Sequence, residues 1–239
     1  MSRHFVLSFV NGSEVLNVAD YYSSISSQFL LPRTPDQVKK FVENQSAFKV
    51  TENGTICAVC YLNKDNHPTT NAERWELGGI FVAEPARQEG IASVLVSFAL
   101  ASHLTQDPDS TIPVMAHVHE ENDAPRTLLN RLGFERDEAA DEVYDGSLFP
   151  HTFRKNSAGK VVGHVFKLIE LKSVIKKIQQ HKGKLKSGST MDVELYFFKT
   201  DRSAFIEAIK NVERDRFPSR WQQLLSRICR ARKRSSDLL

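Results

Sequence analysis

The stretch EPARQEGIASVLVSF, residues 84–98, places a cluster of turn-forming residues directly before an apolar run. Gly90 allows backbone conformations and close approaches that a side chain would forbid. The helix predicted to begin near Ile91 offers unpaired N–H groups and the positive end of its dipole. These features favour an anion, and phosphate is the commonest anion bound in this way. The stretch therefore predicts a phosphate-binding turn, although glycine also occurs at helix starts for structural reasons alone.

The rest of the first 150 residues alternates between strand-like and helix-like patterns. We first predict a strand at 4–10, a helix from Glu14 towards Tyr22 that is capped by Ser13, and a second helix that is opened by Thr34. A hairpin around Asn53 and Gly54 and a strand at 75–82 follow. After the turn we predict the long helix to about His103, a strand at 112–119 and a short helix closed by Gly133. The acidic stretch ERDEAADEVYD, residues 135–145, is predicted to be a loop, a strand or both.

The composition changes after Pro150. Here we predict a strand at 160–168, a basic helix at 171–183, a flexible linker at 182–189, a strand at 191–199, a helix at 201–211 and a terminal amphipathic helix at 219–236. We therefore expect a core at residues 1–150, extending at most to about residue 170, and a basic α/β extension or small second domain at 151–239.

Charge divides the chain in the same place. Residues 1–150 carry 11 Lys and Arg against 21 Asp and Glu, whereas residues 151–239 carry 21 against 8. This asymmetry predicts either different partners for the two parts or an attraction between them. The three cysteines, the absence of a signal-peptide layout and the absence of a membrane-spanning apolar run lead us to expect a cytoplasmic protein.

Two stretches resemble the GNAT superfamily of acyl-CoA-dependent N-acyltransferases over roughly residues 1–170. The family's pyrophosphate turn, Q/R-x-x-G-x-G/A, is matched by residues 87–92, RQEGIA, which follow a predicted strand ending at Val82. The second stretch runs from Asn122 to Leu132-Gly133-Phe134, at the family's spacing. The resemblance implies an α/β (α+β) fold with a mixed, mostly antiparallel sheet flanked by helices.

The resemblance also implies a site for acetyl-CoA or another acyl-CoA, used as a co-substrate. Backbone N–H groups of the turn would hold the CoA pyrophosphate, and the end of the preceding strand would align the pantetheine arm. The residues implied in cofactor binding are Phe81, Val82, Arg87, Gln88, Glu89, Gly90, Ile91, Ala92 and Asn122. Glu89 departs from this picture, because we expect it to add a negative charge beside the phosphates.

Acyl transfer to an amine needs a general base, since amines are protonated at neutral pH. Glu76 lies on the strand before the turn, where many family members place a catalytic glutamate; it could also be a simple exposed strand carboxylate. Glu73 is a weaker candidate nearer the start of that strand. His119 is a second candidate base. The tyrosine that many relatives use to protonate the leaving thiolate is replaced by Leu129, which leaves Tyr144, His119 or solvent for that role.

No metal is expected. His117 and His119 point to one face of a strand but supply only two ligands, and Cys57 and Cys60 are predicted to face opposite sides. We expect packed or substrate-facing histidines here. The acidic residues 135–145 attract a cationic amine, form a solvated loop or provide a docking surface for the basic extension.

Two functions of different classes follow. The first is an enzyme that transfers an acyl group, expected to be acetyl, from acyl-CoA to an unidentified primary amine. The alternative is a non-catalytic or modified GNAT fold whose basic C-terminal region binds nucleic acid or another acidic partner, with an anionic membrane as a competing use of the terminal helix. A third possibility combines the two, with the extension delivering a nucleic acid or a nucleic-acid-bound protein to the active site.

Overall fold

The computed structural model describes residues 3–66, 71–106, 112–168, 185 and 189–194. Its helices and strands follow one another in chain order as β1 (His4–Phe9), α1 (Val15–Ser24), α2 (Pro35–Glu43), β2 (Ala47–Glu52), β3 (Thr55–Asn66), β4 (Glu73–Val82), α3 (Ile91–Gln106), β5 (Val114–His119), α4 (Asp123–Leu132), β6 (Glu135–Arg136), β7 (Glu142–Asp145), β8 (Lys160–Leu168) and β9 (Thr190–Glu194). The helices predicted from residue 171 onward lie outside the described residues.

One mixed sheet contains all of these strands, in the order β6-β8-β5-β4-β3-β2-β1-β9, with β7 also paired to β8. The pairs β4/β5 and β1/β9 are parallel, and the remaining pairs are antiparallel. The expected mostly antiparallel α/β sheet is confirmed. The sheet includes β8 and β9, which lie on the C-terminal side of residue 150, so the position and independence of a second domain stay a prediction.

The two faces of the sheet bury different helices. Alternate residues of β3 point to opposite faces, because successive strand side chains alternate. Ala58, Cys60 and Leu62 join the main core with α3 and α4, while Val59 and Tyr61 join a second core with α1 and α2. Helix α3 has apolar residues almost all round its axis. Most of its residues between Ile91 and Leu100 are accordingly buried.

Local signals explain several element boundaries. Thr34 caps α2 as predicted, its hydroxyl accepting from the Gln37 N–H group. The β2–β3 hairpin turns at Asn53 and Gly54, whose φ angles are 52° and 78°. Gly133 ends α4 with a φ of 93°.

The predicted Ser13 cap is wrong. Asn11 makes a capping box with Glu14 around a short 3-10 turn, and α1 begins after it at Val15. The acidic stretch 135–145 is a mixture: two short strands, β6 and β7, flank a 3-10 turn at Glu138–Ala140.

Candidate active site

The predicted phosphate turn connects a 3-10 turn, Glu84–Ala86, to the start of α3. Gln88 and Gly90 have positive φ angles of 65° and 87°, and backbone of this kind can turn successive N–H groups into one anion-binding concavity. Among the described residues, none accepts a hydrogen bond from the backbone N–H groups of residues 88–92. The turn therefore presents unpaired donors at a helix N-terminus, which is the arrangement that binds phosphate.

Arg87 does not extend over this concavity. Its Nε donates to the Val82 carbonyl oxygen at 3.0 Å, and its guanidinium lies 5.8 Å from the centre of the Phe81 ring. Arg87 thus fastens the turn to the end of β4. Phe81 and Val82 are half-buried there, Phe81 against the second core and Val82 against the main core.

Glu89 does not place its charge beside the phosphates, contrary to expectation. Its side chain is only 7% exposed, and its carboxylate lies 3.4 Å from Nη1 of Arg3. The hydroxyl of Ser189 donates to the same carboxylate at 3.1 Å. The charge is matched inside the protein, and only the backbone N–H of Glu89 belongs to the concavity. Ile91 is fully buried in the main core, whereas Ala92 is half-buried.

A cleft opens where β4 and β5 separate. The two parallel strands pair only at Trp75 with Val114 and at Glu76 with Met115. Beyond these pairs β4 continues to Val82 and β5 to His119. The β5-facing edge of β4 therefore has unpaired backbone groups between Leu77 and Val82, and these can align an extended ligand.

A bulge shifts β4 at the mouth of this cleft. Tyr61 of β3 lies opposite Gly78, whereas Val59 lies opposite Phe81, so β4 carries one extra residue. Gly79 has a φ of 60°, and its carbonyl accepts from the Tyr22 hydroxyl at 3.1 Å. The bulge brings the phenol of Tyr61 over Gly78 and towards Glu76.

Glu76 is held by that phenol. Its Oε1 accepts from the Tyr61 hydroxyl at 3.3 Å, and Tyr61 in turn accepts from Nη2 of Arg33 at 2.7 Å. Burial, with the negative charge of Glu76, raises the pKa of Tyr61 well above its usual value. Tyr61 is consequently a neutral phenol that orients the carboxylate. A quarter of the Glu76 side chain stays exposed, so the carboxylate is accessible to a ligand.

His117 belongs to the same cluster as Glu76. The sequence predicts only a packed or substrate-facing histidine at this position. Its Nδ1 lies 4.0 Å from Oε1 of Glu76, and its Nε2 lies 3.5 Å from Oε1 of Glu142. Glu142 also lies 3.6 Å from Nη1 of the buried Arg74. The parallel register of β4 and β5 and the position of β7 create this cluster, and no local sequence pattern reveals either.

His119 is not a free base in this structure. Its Nδ1 accepts from the Glu121 N–H at 3.1 Å, so its Nε2 carries the proton and donates to the Arg154 carbonyl at 2.9 Å. The ring is buried between Phe29 and Phe153, with centroid distances of 5.0 and 5.8 Å. Both nitrogens are occupied by backbone groups, so we assign His119 a structural role.

Tyr144 and Leu129 make no described hydrogen bond or ion pair with Glu76 or His117. Tyr144 lies on the same face of β7 as Glu142, but its ring packs against Phe149 at 5.7 Å, and no hydrogen bond between described residues joins it to Glu76 or His117. Leu129 is fully buried in the main core. Neither residue is positioned by the described contacts to donate a proton at the cleft.

Asn122 lies at the other side of the cleft, at the start of α4. Its backbone N–H donates to the His119 carbonyl at 2.9 Å, and its side chain makes no capping hydrogen bond. This half-buried amide is available to a ligand.

Two segments cover the sheet face that carries Glu76 and His117. The segment after α1 meets the segment between β7 and β8, where the Arg154 N–H donates to the Gln28 carbonyl at 2.8 Å. Most of the acidic stretch 135–145 does not contribute here, because Asp141 and Glu138 pair with Arg136 and Asp145 pairs with Lys160. Of that stretch, Glu142 is the residue that contacts His117.

Cys57 and Cys60 both lie in the main core, so the prediction that they face opposite sides of β3 is wrong. Among the described residues, no group of three His, Cys, Asp or Glu side chains could hold a metal ion. Burial raises the pKa of the Cys57 thiol to about 11 and that of Cys60 further. Across the same described ranges, no helix combines the length and apolar character needed to span a bilayer.

Comparisons with known proteins agree with this fold. The sequence model of the acetyltransferase (GNAT) family matches residues 18–134. An acetyltransferase of the GNAT family from Streptococcus pneumoniae superposes with a TM-score of 0.53 at 12% identity, covering 69% of this chain and 98% of its own. The NatC complex bound to Gag peptide and CoA superposes with a TM-score of 0.51 at 16% identity, and the match covers 71% of this chain and 99% of that chain. Arabidopsis thaliana Naa50, in complex with the bisubstrate analogue CoA-Ac-MVNAL, superposes with a TM-score of 0.50 at 12% identity. That match covers 67% of this chain and 97% of the Naa50 chain.

These structural similarities establish a shared fold. No curated protein sequence matches the chain. The family match covers the phosphate turn, the cleft between β4 and β5, and α4. Residues 18–134 of this chain therefore match the GNAT family of acetyltransferases in sequence, and the described chain shares the fold of GNAT acetyltransferases.

Proposed function

We propose that this protein transfers an acyl group, most simply acetyl, from acyl-CoA directly to a primary amine. The observation that carries the proposal is the position of Glu76. Its carboxylate is oriented by Tyr61 at the last residue pair before β4 and β5 separate, with the phosphate turn at the other end of β4.

Cofactor binding would use the backbone more than the side chains. The unpaired N–H groups of residues 88–92 would hold the pyrophosphate, and the free edge of β4 up to Phe81 and Val82 would align the pantetheine arm. Gly90 allows the close approach, and the Asn122 amide would contact the cofactor from α4.

The chemistry is a direct displacement at the thioester carbonyl. The amine must lose a proton to become nucleophilic, and Glu76 accepts it, either directly or through water. The amine nitrogen bonds to the carbonyl carbon, and the carbon–sulfur bond breaks with its electron pair going to sulfur. The leaving thiolate needs no acid from the protein, because thiols have a reference pKa of only about 8.5. Solvent can supply its proton in place of the tyrosine that Leu129 replaces.

His117 and Glu142 extend the base. His117 lies between Glu76 and Glu142, with its Nδ1 4.0 Å from the Glu76 carboxylate, so a proton taken up by Glu76 would reach His117 only through a bridging water. The negative charge of the two carboxylates also favours a cationic amine at the cleft.

The test substitutes Glu76 by Gln, which keeps the shape and removes the basicity. We expect turnover to fall by about 10²- to 10⁴-fold with acetyl-CoA affinity unchanged. Thiol release from acetyl-CoA would be measured with a panel of amino acids, polyamines and peptides with free N-termini, and affinity by calorimetry. Glu73→Gln is the matched control, since Glu73 is on the same strand but exposed and paired with Lys64. Failure of the wild type to bind acetyl-CoA would overturn the cofactor assignment; an unchanged rate in Glu76→Gln would remove Glu76 as the base.

A further inference from the structure

Glu89 is a buried carboxylate in the middle of the phosphate turn. It is 6% exposed, and its neighbours Gln88 and Gly90 supply the two positive φ angles of the turn. A buried charge is costly unless it is paired and hydrogen-bonded. Its partners are therefore part of what fixes the backbone of the turn.

The first partner, Arg3, lies just before β1. Its guanidinium makes a two-point contact with Glu52 of β2, at 2.7 and 2.5 Å, and a further hydrogen bond to the Pro85 carbonyl. From this fixed position Nη1 reaches Glu89 at 3.4 Å. The hydrogen bond with Glu52 raises the pKa of Arg3 and lowers that of Glu52, so both ends of this pair stay charged.

The second partner, Ser189, lies just before β9. Its hydroxyl donates to Oε2 of Glu89 at 3.1 Å, and the next residue, Thr190, donates its N–H to the Arg3 carbonyl at 2.9 Å. The residues that precede the two parallel strands β1 and β9 thus hold the two oxygens of one carboxylate. They are 86 and 100 positions away from Glu89 in the sequence. The turn is held by the global fold as well as by its local conformation.

We propose that Glu89 is a positioning residue for the cofactor. Its carboxylate, anchored on Arg3 and Ser189, draws the side chain away from the concavity and keeps the N–H groups of residues 88–92 converging on one point. This inference rests on the proposed function, in which those groups bind the CoA pyrophosphate. It also makes β1 and β9 contributors to cofactor affinity, although both strands lie at the far edge of the sheet from β5.

The direction in which Glu89→Gln changes CoA affinity separates this positioning role from simple charge repulsion. If the Glu89 carboxylate faced the phosphates, Glu89→Gln would remove a repulsive charge and tighten CoA binding. If Glu89 positions the turn, the same change breaks the ion pair with Arg3 and loosens the turn. Charge-assisted hydrogen bonds are stronger than neutral ones, so we expect CoA to bind about tenfold more weakly.

The experiment titrates CoA into the wild type, Glu89→Gln, Ser189→Ala and Glu84→Gln by calorimetry. Glu84 is the control, an exposed carboxylate in the preceding 3-10 turn. Ser189→Ala keeps the ion pair and loses one hydrogen bond, so we expect about threefold weaker binding; this milder variant also decides the question if Glu89→Gln does not fold. Equal or tighter binding in both Glu89→Gln and Ser189→Ala would overturn the proposal.

Hydrogen–deuterium exchange without ligand separates this proposal from the proposed function. We expect the amides of residues 88–94 to exchange faster in Glu89→Gln than in the wild type and Glu84→Gln. If the wild type binds no CoA, the proposed function fails, and the exchange result still decides whether Glu89 holds the turn. Unchanged exchange in the turn would overturn the positioning role.

Discussion

Gly78 gives the Tyr61 phenol the space from which it orients Glu76. A Cβ atom at residue 78 would lie 2.3 Å from the Tyr61 hydroxyl oxygen, so the ring would have to move. The ring has little freedom, because it stacks on Phe41 at 4.3 Å and holds the Arg33 guanidinium. Gly78→Ala should therefore disturb Glu76 without touching the phosphate turn.

We expect Gly78→Ala to lower turnover with CoA affinity little changed, and to lower the free energy of unfolding by about 1–3 kcal/mol through overpacking. Turnover assays, calorimetry and urea unfolding would measure the three quantities. Gly12→Ala is the control, since nothing lies within 4 Å of a Cβ at that position. Wild-type turnover in Gly78→Ala would contradict the role of Tyr61 in orienting the base.

For single residues, the sequence predicts the backbone conformation but not the partners of the side chains. Gly90 and Gly133 adopt the positive φ angles that their local motifs require. By contrast, the hydrogen bond of the His119 ring depends on Arg154, which is 35 positions away. The burial of the Glu89 side chain depends on Arg3, which is 86 positions away. Local patterns report backbone conformation; they do not report which distant group pairs with a side chain.

Among the elements, β8 shows the same limit. The alternation of its residues predicts a strand at 160–168, and the structure has β8 at Lys160–Leu168. Its place in the sheet, between β5 on one side and β6 and β7 on the other, follows from long-range pairing that no periodicity encodes. The separation of β4 from β5 after Glu76 equally depends on tertiary packing.

His164 makes β8 sensitive to pH. Burial lowers the pKa of His164 from its usual 6.5; the positive charges of Arg136 and Arg126 act in the same direction, and Asp141 and Glu120 oppose them. Because the folded-state pKa is lower than the unfolded one, the unfolded chain binds more protons near pH 6. His164 therefore costs no stability above about pH 6.5 and reduces stability as the pH falls below that value.

We expect His164→Gln to lose less stability than the wild type between about pH 7.5 and pH 5.5. Urea unfolding at the two pH values would show this as a smaller shift of the midpoint. Asp141, whose pKa is lowered from 3.8 by its hydrogen bond from Arg136 against the effect of burial, contributes at lower pH and does not interfere. Identical pH dependence in the two proteins would contradict the assignment.

For the molecule as a whole, β9 determines how the sheet ends. It pairs in parallel with β1 from His4 with Thr190 to Ser8 with Glu194. Without β9, β1 would be an exposed edge that carries the fully buried Phe5 and Leu7. Unpaired edges lose hydrogen bonds and promote association between chains.

A chain that ends after Leu168 should accordingly be less stable than one that ends after Glu194, and more prone to aggregate. Thermal unfolding and light scattering of the two proteins would measure the difference. The shorter chain also lacks Ser189 and should bind CoA more weakly. Equal stability and equal scattering would show that β9 is dispensable for the sheet.

The division of charge has a partial explanation at the same scale. Where both parts are described, basic residues after 150 pair with acidic residues before it: Arg154 with Glu121 at 2.7 Å and Lys160 with Asp145 at 3.8 Å. These contacts favour attraction between the two parts. The predicted binding of nucleic acid or another acidic partner concerns mainly residues after 194, which lie outside the described structure, and it stays a prediction.

The position of β8 also sets an order of events during folding. The strands β1 to β4 pair with their sequence neighbours, so that part of the sheet can form from local contacts. Strands β6 and β7 have no described partner except β8, which follows them in the chain and must insert beside β5. Glu142 can reach His117 only after that insertion. During synthesis, the contact between Glu142 and His117 must therefore wait until residue 168 has been made, and the contact between Ser189 and Glu89 must wait until residue 189 has been made.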